Sequence, residues 1–343
     1  MVFVNGAVFL LLSVTGIRQK IVDSIPYSLK IAITCGIGLF IAFIGLKNGG
    51  GVVANAATFV APGSFTSGPV ALCLFGIVLT TILAARRVPG AIVIGIGIVT
   101  LIGPLVPNGT GGTVTTLPQS LTSLPNSPEP VFLKLSFDFL HSADAFKKAL
   151  PLILTLLLVD MFDNIGTLIG VTKRAGLLDK NGRLPKAGLA LLADSLAAML
   201  SALFGTSTVV SYIESASGVE AGGRTGLTSL TAAALMLLAL FATPLILAIP
   251  AAATAPALAI VGIFMLQSVT EIEMADFVVA APAAITIMAI PLTFSIAEGI
   301  GLRLIAAAVL AMTTGRSKTI PVIGYAIAGV FFLEFFHIFP FGG

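Results

Sequence analysis

Long uncharged apolar stretches limit what this chain can fold into more than any other feature of its sequence. Charged residues make up 10% of the 343 residues and hydrophobic residues 57%, whereas a typical soluble domain is about 25% charged. Several of the uncharged stretches exceed the roughly 20 residues that a helix needs to cross a bilayer. The sequence therefore predicts an integral membrane protein, with uncharged stretches at 31–46, 48–85, 88–128, 225–270 and 277–297.

The expected fold class is an all-α polytopic membrane protein. Only helices and closed barrels satisfy the backbone hydrogen bonds inside lipid, and the alternating strand pattern of a membrane barrel is absent from the sequence. The net charge of +3 does not indicate nucleic-acid binding, because the Lys and Arg residues fall in short segments between apolar stretches. Cys35 and Cys73 lie inside such stretches, which favours buried reduced thiols and neither a disulfide framework nor a metal. No cofactor is expected.

Basic residues predict the orientation in the membrane. The connection between a predicted fifth span at 147–171 and a predicted sixth span at 187–204 is rich in Lys and Arg, so the loop 172–186 is expected to be cytoplasmic. Asp194, in the sixth span, is expected to pair with that loop. Counting crossings places the other basic clusters on the same side. These are Arg18 with Lys20, Arg86 with Arg87, and Arg224.

Three carboxylates fall inside predicted membrane segments. Asp160 and Asp163 belong to the fifth span and share one helical face, which Thr167 continues. Glu214 follows the sixth span. An ionised carboxylate in a bilayer is costly unless it faces a partner, water or a ligand, or takes up a proton, so all three are candidates for function. One of the two aspartates is expected to be structural, and their spacing does not distinguish them.

The segment after the sixth span predicts a membrane helix that is broken at 205–221. Its sequence T-S-T-V-V-S-Y (Thr206 to Tyr212) is rich in β-branched and hydroxyl residues, which favour an extended backbone. Glu214 then opens a half helix, and broken helices of this kind line the substrate cavities of transporters. Hydroxyl groups close to the break are further candidates for ligand contacts. They belong to Thr206, Ser207 and Thr208.

Three longer segments carry a family pattern. They are V-D-M-F-D-N-I-G-T-L-I-G-V (Val159 to Val171), G-T-S-T-V-V-S-Y-I-E-S-A-S-G-V-E-A-G-G-R-T-G-L (Gly205 to Leu227) and G-I-G-L-F-I-A-F-I-G-L-K-N-G-G (Gly36 to Gly50). Together they resemble the AzgA-type adenine, guanine and hypoxanthine permeases of the nucleobase:cation symporter-2 family. The resemblance extends from Asn5 to Phe336, and its second segment is specific to the family.

This resemblance implies two inverted seven-helix repeats, with a core domain that holds substrate and a gate domain against which it moves. Residues 1–103 would be the end of the first repeat, 104–146 a non-cytoplasmic loop, 147–249 the second-repeat core and 250–343 the second-repeat gate. It also implies that the chain is not an enzyme but takes up purine nucleobases in symport with a proton. The expected location is the plasma (inner) membrane, and a homodimer is one option for the assembly.

The resemblance also assigns roles to single residues. Asp160 would contact the substrate from the family's eighth span, Asp163 would tune that site, and Glu214 would contact the purine from the broken tenth span. The same three acids would be the candidates for proton coupling. The chemistry fits, because a carboxylate accepts hydrogen bonds from the N–H groups of a neutral purine, and losing such a partner leaves a buried group unsatisfied.

One departure from the family opens alternatives. The family begins with further spans that have no counterpart before Asn5, so an N-terminally incomplete fragment without transport activity is one alternative. A same-fold anion transporter is another, although three acids in the site disfavour it. An intramembrane aspartyl protease would need a G-x-G-D turn, which the sequence lacks.

Overall fold

The computed structural model describes residues 1–24, 27–109, 111–118, 120–125, 127–179, 184–212, 215–317, 320 and 322–335. Within these ranges the secondary structure is mainly α-helical, as predicted from the composition. Four helices in the described part are long and apolar enough to cross a membrane, judged by length and composition. They are Tyr27–Asn48, Gly68–Ala85, Ala251–Glu271 and Ile296–Thr313.

The described chain contains fourteen α-helices, with the longest connection between α5 and α6. In order, the α-helices are α1 (Val2–Val14), α2 (Ile17–Ser24), α3 (Tyr27–Asn48), α4 (Gly68–Ala85), α5 (Ala91–Ile102), α6 (Ala143–Arg174), α7 (Ala187–Leu203), α8 (Ser215–Glu220), α9 (Gly226–Ala239), α10 (Thr243–Leu247), α11 (Ala251–Leu266), α12 (Phe277–Thr293), α13 (Ile296–Thr313) and α14 (Val322–Phe335). The predicted fifth and sixth spans correspond to α6 and α7. Short 3-10 helices occupy Gly103–Leu105, Asp138–Leu140 and Gln267–Glu271.

The chain divides into two compact units, each built from segments that are distant in sequence. Unit 1 comprises Met1–Ile37, Ser127–Ser215 and Gln267–Gly343. Within it α1 packs along α7, and α12 packs along α13. A Cβ atom added to Gly36 of α3 would stand 2.7 Å from Cδ1 of Ile290 in α12. The absence of a side chain at Gly36 therefore allows these two helices to approach closely.

Unit 2 comprises Gly38–Asn126 and Ala216–Leu266. In this unit α3 crosses α11 where Gly38 faces Gly262, and a Cβ atom added to Gly38 would stand 2.7 Å from the carbonyl oxygen of Gly262. About two turns further along α3, a Cβ atom on Gly45 would stand 2.8 Å from the carbonyl oxygen of Ala255. Small residues thus permit backbone contact where lipid provides no hydrophobic driving force between helices.

A short hairpin lies between α3 and α4. Strand β1 (Val52–Asn55) pairs antiparallel with β2 (Phe59–Pro62). Oδ1 of Asn55 accepts hydrogen bonds of 2.8 and 3.1 Å from the backbone N–H groups of Ala57 and Thr58, which closes the turn. The prediction of an all-α chain is wrong at this place, because an Asn-initiated turn joins two short runs of β-branched and aromatic residues.

The end of α7 explains why the chain becomes extended there. Gly205 has a φ of 74°, its N–H donates to the carbonyl oxygen of Ala202, and the N–H of Thr206 donates to that of Ser201. This pattern of bonds around a left-handed glycine terminates a helix. The segment from Thr206 to Tyr212 has no helical structure; the membrane helix broken at 205–221 stays a prediction.

Candidate functional site

Asp160 lies in the middle of α6, inside unit 1. Its side chain is half-buried, and its Oδ2 atom accepts a hydrogen bond of 2.6 Å from Nδ2 of Asn5 in α1. The hydroxyl group of Thr208, in the extended segment after α7, also interacts with this carboxyl group. Asp160 is therefore the point at which α6, α1 and the broken region of the chain meet.

Two further polar residues share the face of α6 that carries Asp160. Asn164 and Thr167 follow it at steps of four and three residues, and both are buried, Asn164 completely. Neither Nδ2 nor Oδ1 of Asn164 makes a hydrogen bond of normal geometry to a described residue, although the amide interacts with Asp194. An amide buried in this way costs about 1–3 kcal/mol, so the site holds hydrogen-bonding capacity that the described side chains do not use.

The other two predicted acids are not placed in this site by the structure. The backbone of Asp163 belongs to α6, but its side chain falls outside the described part of the chain. Glu214 as a whole lies outside the described residues. The roles predicted for Asp163 and Glu214 stay predictions.

Asp194 pairs with Arg18 and not with the basic loop, so the predicted pairing is wrong. The guanidinium NH2 of Arg18 donates to Oδ2 of Asp194 at 2.9 Å, and the side chains of the two residues are 0% and 4% exposed. Arg18, which the sequence predicts to be a cytoplasmic loop charge, belongs to α2 and is buried in unit 1.

The predicted hydroxyl residues differ in their surroundings. The Thr206 hydroxyl donates a hydrogen bond of 3.2 Å to the carbonyl oxygen of Ser201, near the end of α7. Ser207 is exposed, and Thr208 is half-buried beside Asp160. Among the three, Thr208 is the hydroxyl that the structure brings to the carboxylate cluster.

The resulting site is a group of buried and half-buried polar side chains on α1, α2, α6, α7 and the extended segment that follows α7. The carboxyl group of Asp160 accepts hydrogen bonds, and the amide of Asn164 can both donate and accept them. The site also contains one cation, Arg18, and a second carboxyl group, Asp194. No group of three or more His, Cys, Asp or Glu side chains suited to a metal occurs among the described residues. Its members are Asn5, Arg18, Asp160, Asn164, Asp194 and Thr208, which we call the polar cluster.

Sequence reasoning missed three members of the polar cluster. Asn164 could have been found from its spacing, because it stands four residues after Asp160 and continues the same helical face more closely than Asp163 does. Arg18 stands at the end of an apolar stretch, where charges usually face water, so its burial has no local signal. Asn5 carries no local signal, because its partner lies 155 residues away.

A family model described as "Permease family" matches residues 1–302 of this chain. The chain belongs to the permease family. Guanine/hypoxanthine permease PbuG of Bacillus subtilis is 42% identical over 335 residues, which are 97% of this chain and 74% of that protein. Guanine/hypoxanthine permease PbuO of the same organism is 40% identical over 338 residues, 98% of this chain and 76% of that protein. Adenine permease AdeP of Escherichia coli is 37% identical over 336 residues, which are 96% of this chain and 73% of that protein.

Membership of the permease family confirms the resemblance inferred from the three sequence segments. The relatives are named permeases and not enzymes, and the apolar helices agree with a multi-pass membrane protein. This chain spans about three quarters of the length of these relatives.

Proposed function

We propose that this permease is a secondary active transporter of purine nucleobases, namely adenine, guanine and hypoxanthine, which carries its substrate together with a proton by alternating access. The observation that supports it most directly is Asp160, a carboxyl group in the middle of α6, which lies beside the extended segment after α7. The named substrates of the relatives are purines. Those names and this site point to the same class of ligand.

The polar cluster suits a neutral heterocycle with several hydrogen-bonding edges. Asp160 accepts hydrogen bonds from ring or exocyclic N–H groups, and the unused amide of Asn164 both donates and accepts. Asn5 and Thr208 hold the carboxyl group of Asp160 from two sides, which fixes its direction before substrate arrives. Fixing a polar group in advance reduces the cost of binding.

An anion transporter of the same fold is a weaker proposal. Such a protein needs a cation or free helix N-termini in its site. Arg18 is the one cation of the polar cluster, and its guanidinium is already engaged by Asp194, by Oγ of Ser195 at 3.2 Å and by the carbonyl oxygen of Leu191 at 3.3 Å. The cluster therefore attracts hydrogen-bond donors and protons more than anions.

In this proposal one membrane carboxyl group takes up a proton in each cycle. The candidates are Asp160, Asp163 and Glu214, and the loop 172–186 faces the cytoplasm of a cell whose plasma membrane holds the protein. Protonation in the outward-facing state would remove a negative charge from the bilayer interior while the purine is bound. The cost of carrying an ionised carboxyl group through the bilayer then falls.

The test is uptake of labelled hypoxanthine into cells that lack their own purine permeases and express this chain. Unlabelled adenine and guanine should compete with the label, and uracil and sulfate should not. Asp160→Asn and Glu214→Gln should each lower uptake by about 10-fold or more, because an uncharged amide is a weaker acceptor than a carboxylate.

Asp138→Asn serves as the matched control for Asp160→Asn. It removes a carboxylate that is 91% exposed, and it should transport as the wild type does at equal protein amount in the membrane. Wild-type uptake that sulfate abolishes and purines leave unchanged would contradict the proposed function. Unchanged transport in both Asp160→Asn and Glu214→Gln would contradict the assignment of these two residues to the purine site.

A further inference from the structure

Arg18 is a buried cation held by four groups from two other helices of unit 1. Its guanidinium donates to Asp194 at 2.9 Å, to Oγ of Ser195 at 3.2 Å and to the carbonyl oxygen of Leu191 at 3.3 Å, all in α7. It also lies over the ring of Phe9 in α1, 4.2 Å from the ring centroid. A guanidinium with this many directed contacts fixes the position of α7 against α1 and α2.

The position of α7 determines the position of the extended segment. Gly205 ends α7, and three residues later Thr208 reaches Asp160. The backbone of Ser211, in the same segment, interacts with Asp194. The segment from Thr206 to Tyr212 is thus attached to the polar cluster at two places, and both depend on where α7 lies.

The charges of the polar cluster also depend on Arg18. Arg18 attracts Asp160 as well as Asp194, and the two carboxyl groups repel each other. The described residues of α1 carry no ionisable side chain, and α6 contributes Asp160 on this face. Removal of the Arg18 charge would leave two carboxyl groups to share the remaining hydrogen-bond donors.

We infer that Arg18 is a positioning residue of the purine site, which acts through its buried ion pair with Asp194. The pair holds α7 and the following extended segment so that Thr208 and Asp160 are arranged for the substrate. Arg18 itself does not contact the purine. The inference rests on the proposed function. It adds to the site a residue that the sequence predicts to be a cytoplasmic loop charge.

The experiment compares Arg18→Gln, Asp194→Asn, the double variant Arg18→Gln/Asp194→Asn, and Arg18→Lys in the full chain. Equilibrium binding of labelled hypoxanthine to purified protein gives the affinity, and uptake as a function of pH gives the proton dependence. Thermal unfolding in detergent and the amount of protein in the membrane report stability. Lys20→Gln is the matched control, because Lys20 is an exposed cation two residues away in α2.

Each single neutralisation leaves one charge buried without its partner and should lower stability. The double variant should regain stability, because no unpaired charge remains, but should bind hypoxanthine about 10-fold more weakly than the wild type. Its pH profile of uptake should also differ. Arg18→Lys keeps the charge without the planar contacts and should bind with intermediate affinity, and Lys20→Gln should equal the wild type.

A double variant with wild-type affinity and a wild-type pH profile would overturn the inference, since the pair would then only stabilise the fold. An equal loss of affinity in Lys20→Gln would also overturn it, because the effect would not depend on the buried position. A wild-type chain that binds no purine contradicts the proposed function itself, and the inference falls with it. Wild-type binding with unaffected variants contradicts the inference alone.

Discussion

At the residue scale, Asn164 is the member of the polar cluster whose amide we propose binds the ligand. It is completely buried in α6, four residues after Asp160, and Asp194 is the described residue with which its amide interacts. Since neither amide atom makes a hydrogen bond of normal geometry to a described residue, its burial costs desolvation free energy. A purine that enters the polar cluster would supply the missing partners.

Asn164→Ala should therefore separate stability from function. We expect a melting temperature in detergent equal to or above that of the wild type, because the unsatisfied amide is removed. We expect about 10-fold weaker hypoxanthine binding, because one polar contact of the ligand is lost. A strong loss of thermal stability together with unchanged binding would show that the amide supports the fold instead.

The residues of the site were partly predictable from the sequence. Asp160 was found because a carboxyl group in an apolar stretch is costly wherever it lies. The pair of Arg18 and Asp194 was not found, because 176 residues separate its members and each stands near the end of an apolar stretch, where charges usually face water. Cys35 and Cys73 are both buried, as their apolar surroundings predicted.

At the scale of elements, close backbone contact holds α3 against α11 in unit 2. Gly38→Ala should lower thermal stability by about 1–3 kcal/mol, because the new Cβ would stand 2.7 Å from the carbonyl oxygen of Gly262 and backbone cannot move aside cheaply. Gly97→Ala is the matched control in α5. A Cβ there meets no atom within 4 Å, so stability should be unchanged or slightly raised. Equal loss of stability in both variants would contradict close packing at Gly38.

The start of α12 provides a pH-dependent contact outside the membrane-spanning segments. A hydrogen bond from Arg316 and the capping N–H of Val278 hold the pKa of Asp276 below its usual range. Because the folded state lowers this pKa, the stabilisation is present above the unfolded-state value of about 4 and is lost as the pH falls through the lower folded-state pKa.

Asp276→Asn keeps the helix cap and removes the charge that Arg316 contacts. The variant should melt below the wild type at near-neutral pH, and the difference should disappear in strongly acidic buffer. Arg316→Gln should show the same pH dependence, because it removes the other member of the pair. A difference in melting temperature that stays constant across this pH range would contradict the assignment.

Helices were the most predictable elements, and their ends were less so. The apolar stretches and the hydroxyl-rich break identified α6, α7 and the extended segment, because these patterns are local. Whether residues 277–312 form two helices or one bent element could not be decided from the sequence. There the structure has two helices, α12 and α13, separated at Phe294, whose left-handed φ of 56° is a conformation that aromatic residues rarely adopt.

At the scale of the whole molecule, each compact unit is assembled from segments that are far apart in the chain. The polar cluster is an example, since it joins α1 and α2 with α6 and α7. Such long-range pairing has no signature in local periodicity. The family relationship supplied the expectation of a purine site, and the structure supplied the neighbours that Asp160 has in unit 1.

The most direct test uses purified full-length chain reconstituted into lipid vesicles. Accumulation of labelled hypoxanthine is measured with an inward proton gradient and again after an ionophore has collapsed that gradient. The proposal predicts concentrative uptake that requires the gradient, that excess guanine abolishes, and that Asp160→Asn strongly reduces. Accumulation that is equal with and without the gradient, or a hypoxanthine signal no greater than that of protein-free vesicles, would contradict proton-coupled purine transport by this chain.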